Sequence, residues 1–413
     1  MQELLTQLIT GFGLPAWLSF FLWAVVLYGM VAVVGQVAVV FMVLMERKVL
    51  AWLTQRKGPN RVGPWGTLQT VADGVKLLFK ESIVGPGQDW FLFTMGPVIF
   101  FAPSFVLYAL IPFTDRLVGI TMPLGLLFVF ALSSLSVVGI VLSGWASNNK
   151  YSLLGGMRSA SQAISYEIPL VLSALGVAVA AGSLDLKTIV EAQNQGPFGL
   201  FSWYWLSILP VSFVIFHIAS IAEVNRIPFD LPEAESELVS GYNTEYSGMK
   251  FAMFFLAEYA SLFAMSALVV VLFFGGYYSP VGGLMLERFA GVHDNTLLGL
   301  EMVTWTVLKT YFFIFFAMII RGTLPRLKPD QLMAFSWKFL IPLSLLNVFL
   351  VAALKMAWMT DGMLLTAGPF TFNLTYWITY GLTGLMTFIV LVGFGQLFGH
   401  KQPPLPGLSA AGP

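Results

Sequence analysis

Nine stretches of this chain are apolar for long enough to cross a lipid hydrocarbon core, and that limits the fold before anything else does. A core of about 30 Å takes roughly 20 helical residues. Runs of this kind lie at about 16–45, 91–112, 122–146, 160–181, 203–224, 249–274, 303–320, 338–358 and 376–398. Inside lipid a backbone polar group has no water to bond, so each run must be a helix that satisfies its own backbone. The expected fold is all-α: a polytopic membrane helical bundle of about nine transmembrane helices, with residues 1–400 as a single integral membrane domain and 401–413 as a Pro-rich tail.

Basic residues orient such a bundle, because loops rich in Lys and Arg stay in the cytoplasm. No Lys or Arg precedes Arg47, so the first run lacks the charged start of a cleavable signal and reads as a retained helix. With the N-terminus outside, the outer loops hold only Arg116, Lys187 and Arg288 of the 21 Lys and Arg, and Lys309 and Lys355 fall within helices. The remaining 16 are on the inner side. The tail and the long inner loops are therefore expected in the cytoplasm.

Those inner loops concentrate the charge. In a chain only 10% charged, residues 222–247 (AEVNRIPFDLPEAESELVSGYNTEYS) carry Glu223, Asp230, Glu233, Glu235, Glu237 and Glu245 around Arg226. Crowded carboxylates raise one another's pKa, so such a cluster can exchange protons near neutrality. Glu223 and Arg226 are three apart and share a face if the helix continues. Pro228 should end that helix. A second inner loop, 46–82, breaks at Gly58–Pro59 and Gly63–Pro64. It then places Leu68, Val71, Ala72, Val75, Leu78 and Phe79 at helical spacing, opposite Gln69, Asp73, Lys76 and Lys80. An interfacial amphipathic helix over about 65–82 is expected. Its charges suit lipid head groups, or, with Asp73, Lys76 and Glu81, the mouth of a cavity. The third loop, 321–338, is basic, with Arg321, Arg326, Lys328 and Lys338, and suits an acidic neighbour or buried acids.

Charges within the apolar runs are functional candidates, since a lone charge in lipid is costly and must face water or a partner. Glu167 and Glu258 are of this kind. Glu301, Lys309 and Lys355 lie near enough to helix ends to snorkel, and His217 reads as a satisfied core residue. With no cysteine, the chain has no thiolate to hold zinc or an iron–sulfur cluster. His217, His293 and His400 are far apart, so no metal site and no catalytic residue is expected. A net charge of zero gives no field for nucleic acid.

The blocks ERKVLAWLTQRKGPNRVGPWGTLQTVADGVKLLFKE, GGMRSASQAISYEIPL, AEVNRIPFDLPEAESELVSGYNTEYSG and RGTLPRLKPDQLMAFSWK resemble the H subunit of the bacterial proton-pumping NADH:quinone oxidoreductase, respiratory complex I, equivalent to mitochondrial subunit 1. The resemblance covers about residues 15–360. It implies a heel subunit of the cytoplasmic (inner) membrane that forms the access tunnel for ubiquinone or menaquinone and binds no cofactor alone. NADH, FMN and the iron–sulfur clusters would belong to partner subunits: hydrophilic ones with the quinone site and terminal cluster, beside small membrane neighbours. By the same resemblance the tunnel and its mouth involve Glu46, Arg47, Arg56, Asp73, Lys76, Arg158, Arg226 and Arg321. Coupling to proton translocation would use Glu167, Glu223, Asp230, Glu233, Glu235, Glu237, Glu245 and Glu258. A related membrane subunit of a hydrogenase or formate-linked complex is the first alternative. A proton-coupled transporter is the second, and the inverted repeat it calls for is not visible.

Overall fold

The computed structural model describes residues 16–359, apart from 116, 195–201, 208, 233–237, 282 and 291–294, together with 364–367, 370–373 and six positions between 381 and 392. Six described helices are long and apolar enough to cross a membrane. They are α3 (Trp90–Leu110), α4 (Gly125–Ala146), α5 (Lys150–Ala181), α8 (Gly248–Phe273), α9 (Asn295–Thr323) and the span Pro329–Met356. Ahead of them come α1 (Ala16–Leu53) and the short α2 (Gln69–Phe79). Two short helices, α6 (Leu186–Ala192) and α7 (Pro210–Glu223), separate α5 from α8. A two-stranded hairpin, Leu364–Ala367 with Phe370–Asn373, is the one sheet among the described residues. Apart from this hairpin the described elements are helical and form a membrane bundle, and six of the nine expected spans are met among the described residues. The run 376–398 lies almost wholly outside the described residues.

The fifth run differs for a clear reason. One helical turn, Tyr204–Ser207, precedes Leu209 at φ −128° and ψ 40°, and α7 restarts with Pro210 in its first turn. Proline lacks the N–H a continuing helix needs and clashes with the turn before it, yet suits a first turn. Only 14 residues follow, about 21 Å of helix.

Over its second half the apolar character of α8 runs all round it, which marks a helix with no free face there. From Leu262 to Phe273 every residue is buried. Against it pack α3 and α9, and α5 is tied to the last span by polar contacts: Tyr166 Oη donates to Leu332 O at 3.0 Å, and Ser336 Oγ to Ser165 O at 2.5 Å. The last span passes through a π-helical turn at Ser336–Leu340, where Trp337 Nε1 also donates to Ser165 Oγ.

The charged loops interlock rather than hang free. Leu327 N donates to Pro228 O, and Ile83 N to Ser247 Oγ. Tyr246 stacks on Phe93 with ring centroids 4.1 Å apart. Burial pushes its phenol up to about 12. Before α2, the Gly63–Gly66 turn closes against Pro59, with Gly66 at φ +76° and space for a Cβ only 2.2 Å from the Pro59 carbonyl oxygen. Gly66→Ala should therefore open this turn, at a local cost of about 1–3 kcal/mol. Limited proteolysis of native membranes reads it as faster cleavage within 56–67. Digestion identical to the parent would contradict the fit.

The three residues expected to snorkel do not. Lys355 donates to the carbonyls of Val179 and Ala180 in the last turn of α5, where a cation offsets the helix dipole. Glu301, 8% exposed, accepts the N–H groups of Met285 and Leu286. Lys309 is buried among backbone carbonyls. His217 packs among Phe213, Phe313 and Phe316, with neither ring nitrogen hydrogen-bonded among the described residues.

Candidate functional site

Near the C-terminal end of α1, Met42, Glu46 and Val49 are buried at spacings of four and three. That spacing turns Glu46 into the bundle and leaves its neighbour Arg47 exposed. Its partner comes from the loop after α7. That helix ends at Glu223, and Asn225 turns the chain at φ 53°, which asparagine tolerates better than most residues. The turn is clamped by Gln162 of α5, whose Nε2 is 2.8 Å from Ala222 O, 3.2 Å from Asn225 Oδ1 and 2.6 Å from Phe229 O.

Arg226 is thereby directed into the bundle. One arm donates to Glu46 Oε2 at 2.7 Å. Its Nε lies 2.9 Å from Glu258 Oε1, a close ionic contact without hydrogen-bond alignment. The guanidinium sits 4.3 Å from the centre of the Tyr259 ring. Arg321, in the last turn of α9, closes on the other Glu46 oxygen. Four elements thus contribute two acids and two arginines, a formally neutral cluster. Burial works against the charge on Arg226, but Glu258 and Glu46 outweigh it and raise its pKa well above the ordinary value.

A second carboxylate group adjoins the first. Glu167 accepts from Ser134 Oγ, and Glu223 Oε2 is buried without a hydrogen bond among the described residues. Glu223 and Glu258 line one cavity together with Ser104, Ser133, Ser136, Ser159 and Ser261. Its room for the centre of a water molecule is about 20 Å³. A space of about 10–15 Å³ on this measure admits a water when polar partners are present. This cavity has them, so it can carry water between the two acids.

The remaining expected residues are dispersed. Asp230 is buried and takes Arg326 at 2.7 Å. Arg47 pairs with Asp73 at 2.5 Å on the exposed side of α2, with Lys76 4.0 Å from the same carboxylate. Arg56 donates to Thr54 at the surface, Arg158 is half-buried on α5, and Glu245 accepts from Asn149 at 2.7 Å. Glu233, Glu235 and Glu237 lie outside the described residues. The expected pairing of Glu223 with Arg226 does not occur: the helix stops at Glu223, well short of Pro228, and the Asn225 turn separates the two side chains. Sequence reasoning also missed Gln162, Tyr259 and Ser134. A glutamine inside an apolar run (SASQAIS) is the one signal that could have drawn attention, since a buried amide must find partners.

A family model described as NADH dehydrogenase matches residues 25–352. The H subunit of NADH-quinone oxidoreductase from Brevibacillus brevis is 47% identical over 337 residues, covering 80% of this chain and 94% of that protein. The corresponding protein of Bacillus mycoides is 48% identical over 344 residues, covering 82% and 96%. That of a Geobacillus species is 46% identical over 351 residues, covering 85% and 95%.

Proposed function

This chain belongs to the family of the NADH-quinone oxidoreductase H subunit, and from that premise we propose that it forms the quinone access tunnel and couples quinone reduction to proton translocation. It is a membrane subunit of complex I, working among the other subunits of that assembly. In the proposed reading Glu46, Arg226 and Arg321 form the charged wall of the tunnel. Arg47, Arg56, Asp73, Lys76 and Arg158 belong to its mouth on the cytoplasmic side of the inner membrane. Electrons arrive from NADH through FMN and iron–sulfur clusters of hydrophilic partner subunits.

Quinone reduction consumes two protons and alters charge in a low-dielectric space. Carboxylates nearby respond by changing their proton occupancy, collectively rather than singly. The acids Asp230, Glu233, Glu235, Glu237 and Glu245 of the loop would collect protons, and Glu237, Glu223, Glu167 and Glu258 would hand the change toward neighbouring membrane subunits. The observation that carries this reading is the neutral cluster of buried Glu46 and Arg226 with Glu258 and the half-buried Arg321, which shares Glu258 with the water-sized cavity.

Glu46→Gln tests it, because it leaves two arginines against one acid. NADH:quinone reduction should fall by about tenfold or more, the scale of losing one charge-assisted contact of about 1.5–3 kcal/mol. NADH oxidation by a hydrophilic artificial acceptor should persist. Quinone reduction at the parental rate in fully assembled complex would remove this cluster from the tunnel.

A further inference from the structure

The end of α8 remote from the cluster holds a cation that the coupling reading does not use. Lys309 is 7% exposed. Its Nζ lies 2.8 Å from Phe274 O, 2.9 Å from Gly276 O and 2.6 Å from Tyr278 O, and 4.2 Å from the centre of the Trp203 ring. An ammonium has three N–H donors and no acceptor. Three carbonyls use all three donors, whereas a neutral amine would turn its lone pair on one of those oxygens. No carboxylate pairs with Lys309 among the described residues.

The surroundings are built for a cation. Carbonyls in the last turn of a helix carry partial negative charge, and the three oxygens follow directly on the end of α8 at Phe273. They converge because Gly275 and Gly276 both turn the chain, at φ +66° and +52°. Neither has room for a side chain: a Cβ would lie 2.3 Å from Trp203 Nε1 at Gly275 and 2.7 Å from Val190 Cγ2 at Gly276. Gln193 braces the turn by donating to Val271 O and accepting from Gly275 N. A helix C-terminus followed by unwound carbonyls is the arrangement with which membrane proteins bind sodium ions or protons.

We propose that Lys309 is a tethered cation that fills this carbonyl cage and closes the far end of the bundle to cations and protons. The cage stands about 15 residues from Glu258 along α8, about 22 Å. A positive charge there repels any cation moving between the carboxylate-lined cavity and the opposite surface, as basic side chains do in selective pores. The inference rests on the cage and not on the quinone reading, and its test separates the two.

The test uses whole complex reconstituted in sealed vesicles with no NADH present. Lys309→Met empties the cage of charge while keeping the stem's volume. An imposed pH or sodium gradient should collapse severalfold faster than with the parent, and NADH:quinone reduction measured with an uncoupler should be unchanged. In Lys309→Ala the leak should fall again when propylammonium is added. Should the methionine variant not assemble, Lys309→Gln supplies N–H donors to two of the carbonyls without the charge and should leak likewise. Neutral variants as tight as the parent would overturn the plug and leave Lys309 as a helix cap only. Loss of quinone reduction without a leak would overturn it equally.

Discussion

Arg226→Met is expected to lower the amount of assembled complex sharply and to abolish quinone reduction by what remains. The guanidinium is 4% exposed and serves Glu46, Glu258 and the Tyr259 ring at once. Removing it leaves two carboxylates in one low-dielectric pocket with only Arg321, which reaches Glu46 from a more exposed position. Breaking a buried ion pair by deleting one partner costs about 3–5 kcal/mol, because the remaining charge cannot be resolvated. That is a large share of the roughly 5–15 kcal/mol that typically holds a domain together. Arg226→Lys should be intermediate: it keeps the charge but loses the fork that spans two acids and the flat face that lies on Tyr259. Native-gel assembly and the midpoint of thermal inactivation, read for both variants, check this order. Methionine at parental levels, or lysine no better than methionine, would show that the cluster does not carry this end of the bundle.

The helical bundle is legible because lipid imposes one rule on every span, and apolar length alone expresses it. The acids are legible too, since Glu167, Glu223 and Glu258 stand out against an apolar background. Their partners are not. Arg226 reaches Glu46 across 180 residues of sequence, and nothing local to either says so. Pairing Arg226 with Glu223 requires the helix to continue between them, and the Asn225 turn removes that condition. Depth is equally hidden. Helical spacing assigns Lys309 a face but not a distance from the surface, and its cage depends on Gly275 and Gly276, in a loop that looks like a plain connector. The split of the fifth run is readable in principle from Pro210, which hydrophobicity alone overrides.

Neutralising Glu223 and Glu258 together should reduce proton translocation far more than the two single changes combined. Each acid borders the same small cavity, and the other polar side chains lining it are serines and Asn225, which neither take up nor release protons near neutrality. With one carboxylate left, water in the cavity still has a group to exchange with. With none, the path is interrupted at a point where Glu223 Oε2 has no protein partner to substitute among the described residues. Residues sharing a cavity couple by about 0.5–3 kcal/mol, which corresponds to factors of roughly 2 to 150 in a rate. The measurement is proton uptake per NADH oxidised in sealed vesicles for Glu223→Gln, Glu258→Gln and the pair, with quinone reduction followed in parallel. Glu258→Gln also frees one contact of Arg226, so its own loss should appear partly as slower quinone reduction, whereas Glu223→Gln should spare that step. Additive effects in the pair would mean that the two acids act on separate routes, and the shared cavity would then be a packing feature between helices.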